Sequence, residues 1–431
     1  MNNQRSTRRW VFVALGAAVM GAAGTYQFIW SSLSAAVGTR IPASQAALGT
    51  VFTLFVVTQT LVQLPAGSIR DRYGPRKLLA VSGILMFAGY VGLAVAPILP
   101  VAFASYAIGG LGAGIAYTVA INTPVKWFDE YRGLATGIVS MAYGGVSFVL
   151  IPLVRGAIDA AFTRTLLVMA VAVGVVGLLA AGVLRDPRRE TGESTSSAST
   201  EQGPDSSSDA DSDTRGDTDD APAPSTEAVG WRTAARTWQF WVFYGVMVVV
   251  NGVGLMLIGQ SVGFTTGLGL SPATATTVAS VIALADGGGI LVLGGLSDRF
   301  GGERTAGTSL VLCGLSLAGA VASGVRGYGT LFVVLVGAAA FFRSPVFAIF
   351  PSLVGHYYGE ARSSENYAAI YTAKVPGGVF GGTVTGAMIA LLDWSTAFYV
   401  GAVLVVGAGV GTFALRPVRT GAAAGESPPS Q

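Results

Sequence analysis

The chain has 431 residues, 52% of them hydrophobic and only 11% charged. Globular domains carry about 25% charged residues, so a soluble globular protein is excluded. A single cysteine, Cys313, and a single histidine, His356, exclude an internal disulfide framework and any metal site built from several such residues.

A bilayer core about 30 Å thick needs roughly 20 apolar residues per helix, so uncharged runs mark candidate spans. Residues 10–39 and 41–69 are spans 1 and 2. Residues 78–125 hold no charge and are divided by Pro97 and Pro100 into spans 3 and 4. Spans 5 and 6 fall at 133–154 and 165–184. Residues 190–227 then break the pattern, with eleven of the 23 acids, one base (Arg215) and no aromatic. Rich in Ser, Thr, Gly and Pro, this stretch cannot bury enough apolar surface to offset its ordering entropy and reads as a disordered linker. Residues 237–285 are again uncharged and break near Ser271 and Pro272 into span 7 and most of span 8, which continues to about residue 296. Spans 9 to 12 fall at 305–325, 328–351, 366–391 and 394–415.

The expected fold is therefore an all-α integral membrane protein of twelve transmembrane helices, six on each side of the linker. The expected domains are residues 1–185, a linker at 186–236, residues 237–418 and a disordered tail at 419–431. A cleaved leader is the alternative for span 1, since Arg8 and Arg9 precede its apolar run. Its removal would leave eleven spans and invert the charge balance, which favours a first span. With both termini inside, the inner segments carry twenty Lys and Arg residues and the outer loops four: Arg40, Arg155, Arg164 and Arg326. The positive-inside rule then makes both termini cytoplasmic in a multi-pass plasma-membrane protein. No base-rich stripe alternates with aromatics, so nucleic acid is not an expected partner.

A motif recurs. Gly67 leads to Asp71, Arg72, Tyr73, Gly74 and Arg76 after span 2, and Gly294 leads to Asp298, Arg299, Phe300 and Gly301 after span 8. Both read G-x-x-x-D-R-aromatic-G, which implies duplication of a six-helix unit. An Asp there can meet a helix N-terminus and a neighbouring arginine, while the glycines permit a tight turn.

With these motifs the chain resembles the major facilitator superfamily. More narrowly it resembles the oxalate/formate antiporter and monocarboxylate transporter families. The residues that carry the narrower likeness are Gln63 to Gly67 running into the first motif, the glycine-rich run Gly109 to Gly114, and Lys126-Trp127-Phe128 before Arg132 to Gly137. The resemblance implies two pseudo-symmetric six-helix bundles and alternating access. It implies a cytoplasmic gate at Gly67, Asp71, Arg72, Gly74, Arg76, Asp298, Arg299 and Gly301.

Intramembrane ionisable residues cost about 2.5–3.5 kcal/mol each on insertion scales and are functional candidates by default. There are three: Asp286 in span 8, Arg343 in span 10 and Lys374 in span 11. One acid and two bases leave a spare cation, which suits an anionic substrate. The alternative is a structural pair between Asp286 and one base, with the other reaching an interface. The antiporter resemblance implies that a span 11 lysine with an aromatic one turn earlier binds the substrate carboxylate, and Tyr371 stands three residues before Lys374. It also marks a departure: Ile290 occupies the position of the span 8 arginine of both families. Arg343 is the candidate for a second charge. Tyr26, Gln27 and Trp30 in span 1 and Tyr117 and Asn122 in span 4 are further lining candidates. For Asp286, proton coupling and charge balance both stand.

The expected function is secondary active transport of a small organic anion, a mono- or dicarboxylate, by proton symport or anion exchange. Lys374 and Arg343 would bind it, Tyr371, Tyr26 and Tyr117 would pack on it, and Asp286 would couple or balance charge. The expected partners are that anion, protons and the bilayer, and the expected unit is a monomer. No catalytic triad, nucleotide-binding loop or metal-ligand pattern is present, so no enzyme, cofactor or metal is expected. The rival readings are an exporter of hydrophobic compounds and a transporter-like membrane sensor.

Overall fold

The structure is a computed structural model and describes residues 2–127, 132–184, 230–359 and 362–415. It is helical throughout. The helices are α1 (Asn2–Phe28), α2 (Trp30–Arg40), α3 (Gln45–Tyr73), α4 (Pro75–Ala94), α5 (Leu99–Trp127), α6 (Arg132–Val183), α7 (Trp231–Ala234), α8 (Trp238–Gly267), α9 (Pro272–Phe300), α10 (Gly302–Val325), α11 (Gly329–Arg343), α12 (Val346–Tyr358), α13 (Ser363–Tyr371), α14 (Lys374–Val379), a π-helical turn (Phe380–Val384), α15 (Thr385–Leu391) and α16 (Trp394–Phe413).

Ten of the described helical stretches are long and apolar enough to cross a membrane. One of them, 134–183, is long enough for two crossings and holds spans 5 and 6, while span 11 is divided into short pieces. Together they make the twelve-helix fold. Two helices meet within α6 at a kink at Ala161, where φ is −150° and ψ is 59°, so the break expected at 155–164 is present but is a kink flanked by helix and not an extended loop. Charged Arg155, Asp159 and Arg164 suggested a loop, but charges outside the hydrocarbon layer do not oblige a helix to stop. Within the stretch expected as linker, Trp231–Ala234 is helical. Residues 186–229 of the linker and all of the tail at 419–431 lie outside the described residues.

Local chemistry sets the boundaries. Ser44 and Ser271 cap α3 and α9 by accepting from Ala47 N and Thr274 N. Asp393 caps α16, accepting from Thr396 N at 2.9 Å and from Thr396 Oγ1 at 2.6 Å, and these bonds hold its carboxyl below the usual carboxylate range. The repeated motif ends each time on a glycine with positive φ, Gly74 at 76° and Gly301 at 86°. Each terminates one helix and starts the next, as only glycine does without strain.

The packing is duplicated as well. In the first half α1 packs on α6, α3 on α5, and α4 on both α5 and α6. In the second half α8 packs on α14, α9 on α11, and α10 on both α11 and α16. These are the same four pairings displaced by six spans.

The halves join on the side remote from the chain termini. Ser261 Oγ donates to Ser31 Oγ at 2.9 Å, and Arg155 Nε donates to Thr276 Oγ1 at 2.8 Å. The longest seam runs between α3 and span 11. Span 11 presents Gly378, Gly382 and Gly386, one every four residues. A Cβ at these positions would collide with Val56, with Thr53 and Gly49, and with Gln45 and Ala46 respectively. Small residues at this spacing let helix backbones touch. Thr53 Oγ1 then donates to the Gly378 carbonyl at 3.1 Å and accepts from Thr383 N at 3.0 Å.

This seam predicts a cross-linking result. In a chain with Cys313→Ala, the pair Ser31→Cys and Ser261→Cys forms a disulfide under mild oxidation. Adding Gly382→Val, whose side chain strikes α3, lowers the yield severalfold. Equal yields, read by gel mobility, would show that the seam does not hold this face shut.

Candidate functional site

Three breaks in helical continuity surround the middle of the bundle. Span 10 breaks at Ser344 and Pro345, immediately after Arg343. Proline has no N–H to continue the ladder. Span 11 breaks at Thr372 and Ala373, so Lys374 is the first residue of α14. The π-helical turn begins six residues later, and such turns recur at functional sites. Arg343 and Lys374 therefore sit where the backbone is itself irregular, while Asp286 lies within the continuous α9.

Asp286 of α9 pairs with Arg343 and also accepts a hydrogen bond from Ser344 Oγ. Arg343 is 6% exposed in its side chain and Asp286 17%. The guanidinium lies against α8 at Gly254 and 5.4 Å from the centre of the Phe347 ring. The second cation expected for a substrate is thus neutralised within the protein.

Lys374 is buried, at 7% exposure. Its ammonium donates to Gln59 Oε1 of α3, in the other half, at 3.1 Å. The ring of Tyr371 lies 6.0 Å from Nζ, and Tyr367 packs against Tyr371 at 5.8 Å. Asp286 and Arg343 both lie within electrostatic reach of Lys374. The three ionisable residues picked from the sequence therefore share one region, with Lys374 as its uncompensated charge.

The first half supplies polar and aromatic groups to the same region. Gln59 Nε2 donates to Tyr143 OH at 2.8 Å, and Tyr143 OH donates to Gln27 Oε1 at 2.8 Å. Tyr117 meets Tyr143 edge-on at 5.5 Å. Gln59 and Tyr143 were not singled out from the sequence. The available signal was an amide in the middle of an uncharged span. Tyr26 is fully buried within the first bundle, its hydroxyl donating to the Met86 carbonyl and its ring packed on Tyr90, Tyr106 and Phe55. It belongs to that wall rather than to the charged cluster.

Of the gate residues, Arg72 and Arg299 are exposed, and Gly74 and Gly301 make the turns described above. Gly67 lies in the last turns of α3. Arg76 reaches the end of α6, donating to the Gly182 carbonyl at 3.1 Å and the Leu184 carbonyl at 3.3 Å, which satisfies carbonyls that a helix C-terminus leaves free. The side chains of Asp71 and Asp298 lie outside the described residues.

A family model described as Major Facilitator Superfamily matches residues 11–265 and 247–430. The oxalate:formate antiporter of Oxalobacter formigenes is 29% identical over 401 residues, covering 92% of this chain and 88% of that protein. Monocarboxylate transporter 9 of Rattus norvegicus is 38% identical over 69 residues, 16% of this chain and 14% of that protein. Among solved structures, a bacterial homolog of the human lysosomal transporter Spinster, inward-facing and unoccupied, has a TM-score of 0.66 at 14% identity and covers 94% of this chain and 95% of that one. That likeness shows the fold alone.

Removing one member of a buried ion pair leaves its partner unpaired and costs about 3–5 kcal/mol. Asp286→Asn is accordingly destabilised by that amount in thermal unfolding of the purified protein. Combining it with Arg343→Gln recovers most of the loss. A double variant no more stable than the single one would refute the pairing.

Proposed function

This chain belongs to the Major Facilitator Superfamily, and on that premise we propose that it moves a small organic carboxylate across the plasma membrane by alternating access, with the anion bound at Lys374. It is a multi-pass membrane transporter, not an enzyme. The observation that carries the carboxylate reading is the buried ammonium of Lys374, whose hydrogen-bond partner is the neutral Gln59. A charge in low dielectric is poorly balanced by an amide, and a carboxylate is its natural partner. The full-length similarity to an oxalate:formate antiporter supports the same class.

In this reading Lys374 binds the carboxylate and Tyr371 packs beside it. Tyr117 and Tyr143 form the facing wall. Arg343 is balanced by Asp286 and gives shape and field to the site rather than a second binding charge. With its carboxylate engaged by Arg343 and Ser344, Asp286 has the role of charge balance, and anion exchange is the mode of coupling. The excess of bases on the termini side supports a cytoplasmic location for both termini. The motif turns at Gly74 and Gly301, with Gly67, Asp71, Arg72, Arg76, Asp298 and Arg299, then form the cytoplasmic gate.

Proteoliposome uptake of labelled formate, acetate, lactate, pyruvate, oxalate and malate tests this. At least one is taken up, uptake is accelerated by the same anion inside, and Lys374→Ala abolishes it. Uptake that rises severalfold with an inward proton gradient would replace exchange by symport. No uptake of any carboxylate would sink the carboxylate reading in favour of export of hydrophobic compounds.

A further inference from the structure

A directional chain of hydrogen bonds crosses the site. Lys374 Nζ donates to Gln59 Oε1 at 3.1 Å, Gln59 Nε2 to Tyr143 OH at 2.8 Å, and Tyr143 OH to Gln27 Oε1 at 2.8 Å. It runs from α14 in the second half through α3 and α6 to α1 in the first. Gln59 is fully buried and Gln27 is 6% exposed. The ammonium fixes the direction of the whole chain, because it has donors and no acceptor. Gln59 must turn its oxygen to Lys374, which sends its N–H to Tyr143, which sends its own proton to Gln27.

A carboxylate on Lys374 breaks this arrangement. The ammonium has three donors and can hold both the carboxylate and the Gln59 oxygen, but this leaves the Gln59 oxygen, an acceptor, facing the anion. Rotation of the Gln59 amide resolves the conflict by presenting Nε2 to the second carboxylate oxygen. The Gln59 oxygen then faces Tyr143 and accepts its proton, and Gln27 turns its own amide N–H to the Tyr143 oxygen. The links from Gln59 to Tyr143 and from Tyr143 to Gln27 reverse, and the one from Lys374 to Gln59 is replaced by a bond from each of them to the carboxylate.

We propose that Gln59 is the second anchor of the substrate and sets the preference of the site for singly charged carboxylates. This rests on the carboxylate reading above. The site offers one uncompensated cation and, hydrogen-bonded to it, the neutral amide of Gln59, which together match the two oxygens of a single carboxylate. The charge of Arg343 is already balanced by Asp286, so a second carboxylate placed there would add an unbalanced anion. A dianion therefore leaves one charge against an amide instead of a cation.

The test uses the full chain in proteoliposomes with labelled formate and oxalate, read as half-saturating concentrations, together with thermal unfolding of each variant. The native chain takes formate at a half-saturating concentration about tenfold or more below that of oxalate, the size of one charge-assisted hydrogen bond. Gln59→Leu stays folded and weakens formate by about tenfold. Gln59→Arg supplies a second cation and narrows or inverts the ratio in favour of oxalate. If Gln59→Arg does not fold, Gln59→Leu and the native ratio decide. Equal or better use of oxalate by the native chain overturns this proposal and leaves the carboxylate reading standing. So does a folded Gln59→Leu with unchanged formate affinity, or a folded Gln59→Arg with an unchanged ratio. A native chain that takes up neither formate nor oxalate, while moving another carboxylate, overturns the proposal alone. One that moves no carboxylate overturns both.

Discussion

A charge in the hydrocarbon layer must be balanced, and this chain places two cations and one anion there. Every other feature of the site follows from that imbalance. Desolvating an isolated ion costs far more than any single contact returns, so partners are obligatory. Asp286 takes Arg343, with Ser344 as an additional donor. What is left is Lys374 and an amide. The protein thus keeps one charge in reserve, at a depth where only something entering the site can match it.

The backbone is arranged around the same need. A regular span buries its own polar groups and has little tolerance for an ionic side chain. Here span 10 ends and restarts at Ser344 and Pro345 beside Arg343, and span 11 does so at Thr372 and Ala373 beside Lys374. Irregular backbone at membrane depth is tolerated where it is buried in protein or lines a cavity. Both breaks lie in the second half, and so do all three charges. The first half answers with uncharged groups, Gln27, Gln59, Tyr117 and Tyr143.

Much of this was legible in the sequence. The uncharged runs located the spans, because a charge is the most expensive thing to place in lipid. The duplicated motif located two equivalent turns, because Gly74 and Gly301 adopt positive φ. The three intramembrane charges, read from the sequence as candidates, share one region in the structure. What could not be read was partnership. Whether Asp286 takes Arg343 or Lys374 depends on which helices face each other, and no spacing along the chain encodes that. Gln59 was missed for the same reason: an amide is common enough in a span, and its meaning lies in a lysine 315 residues away. The break between spans 5 and 6 lies inside the charged stretch 155–164, at Ala161, but the helices reach to either side of it because charges outside the hydrocarbon layer mark the limit of the membrane, not of the helix.

The site and the seam that closes the far side are one structure. Lys374, Gly378, Gly382 and Gly386 follow one another every four residues, along one face of span 11. On the facing helix their partners run the other way, from Gln59 through Val56 and Thr53 to Gly49 and Gln45. The first rung is polar and exchangeable, and the rest are glycine contacts that tolerate almost no displacement. A ligand that takes Lys374 from Gln59 therefore acts on the end of the ladder that holds the halves together. Six residues separate Gln59 from Thr53 on α3, roughly 9 Å along the helix axis. At that distance a rigid helix carries a shift at one rung to the next. Occupancy at mid-membrane and closure of the far side are then coupled through a single helix pair. The coupling needs no contact between ligand and seam, because the two helices proposed to bind the anion are the two that meet along the seam beyond it.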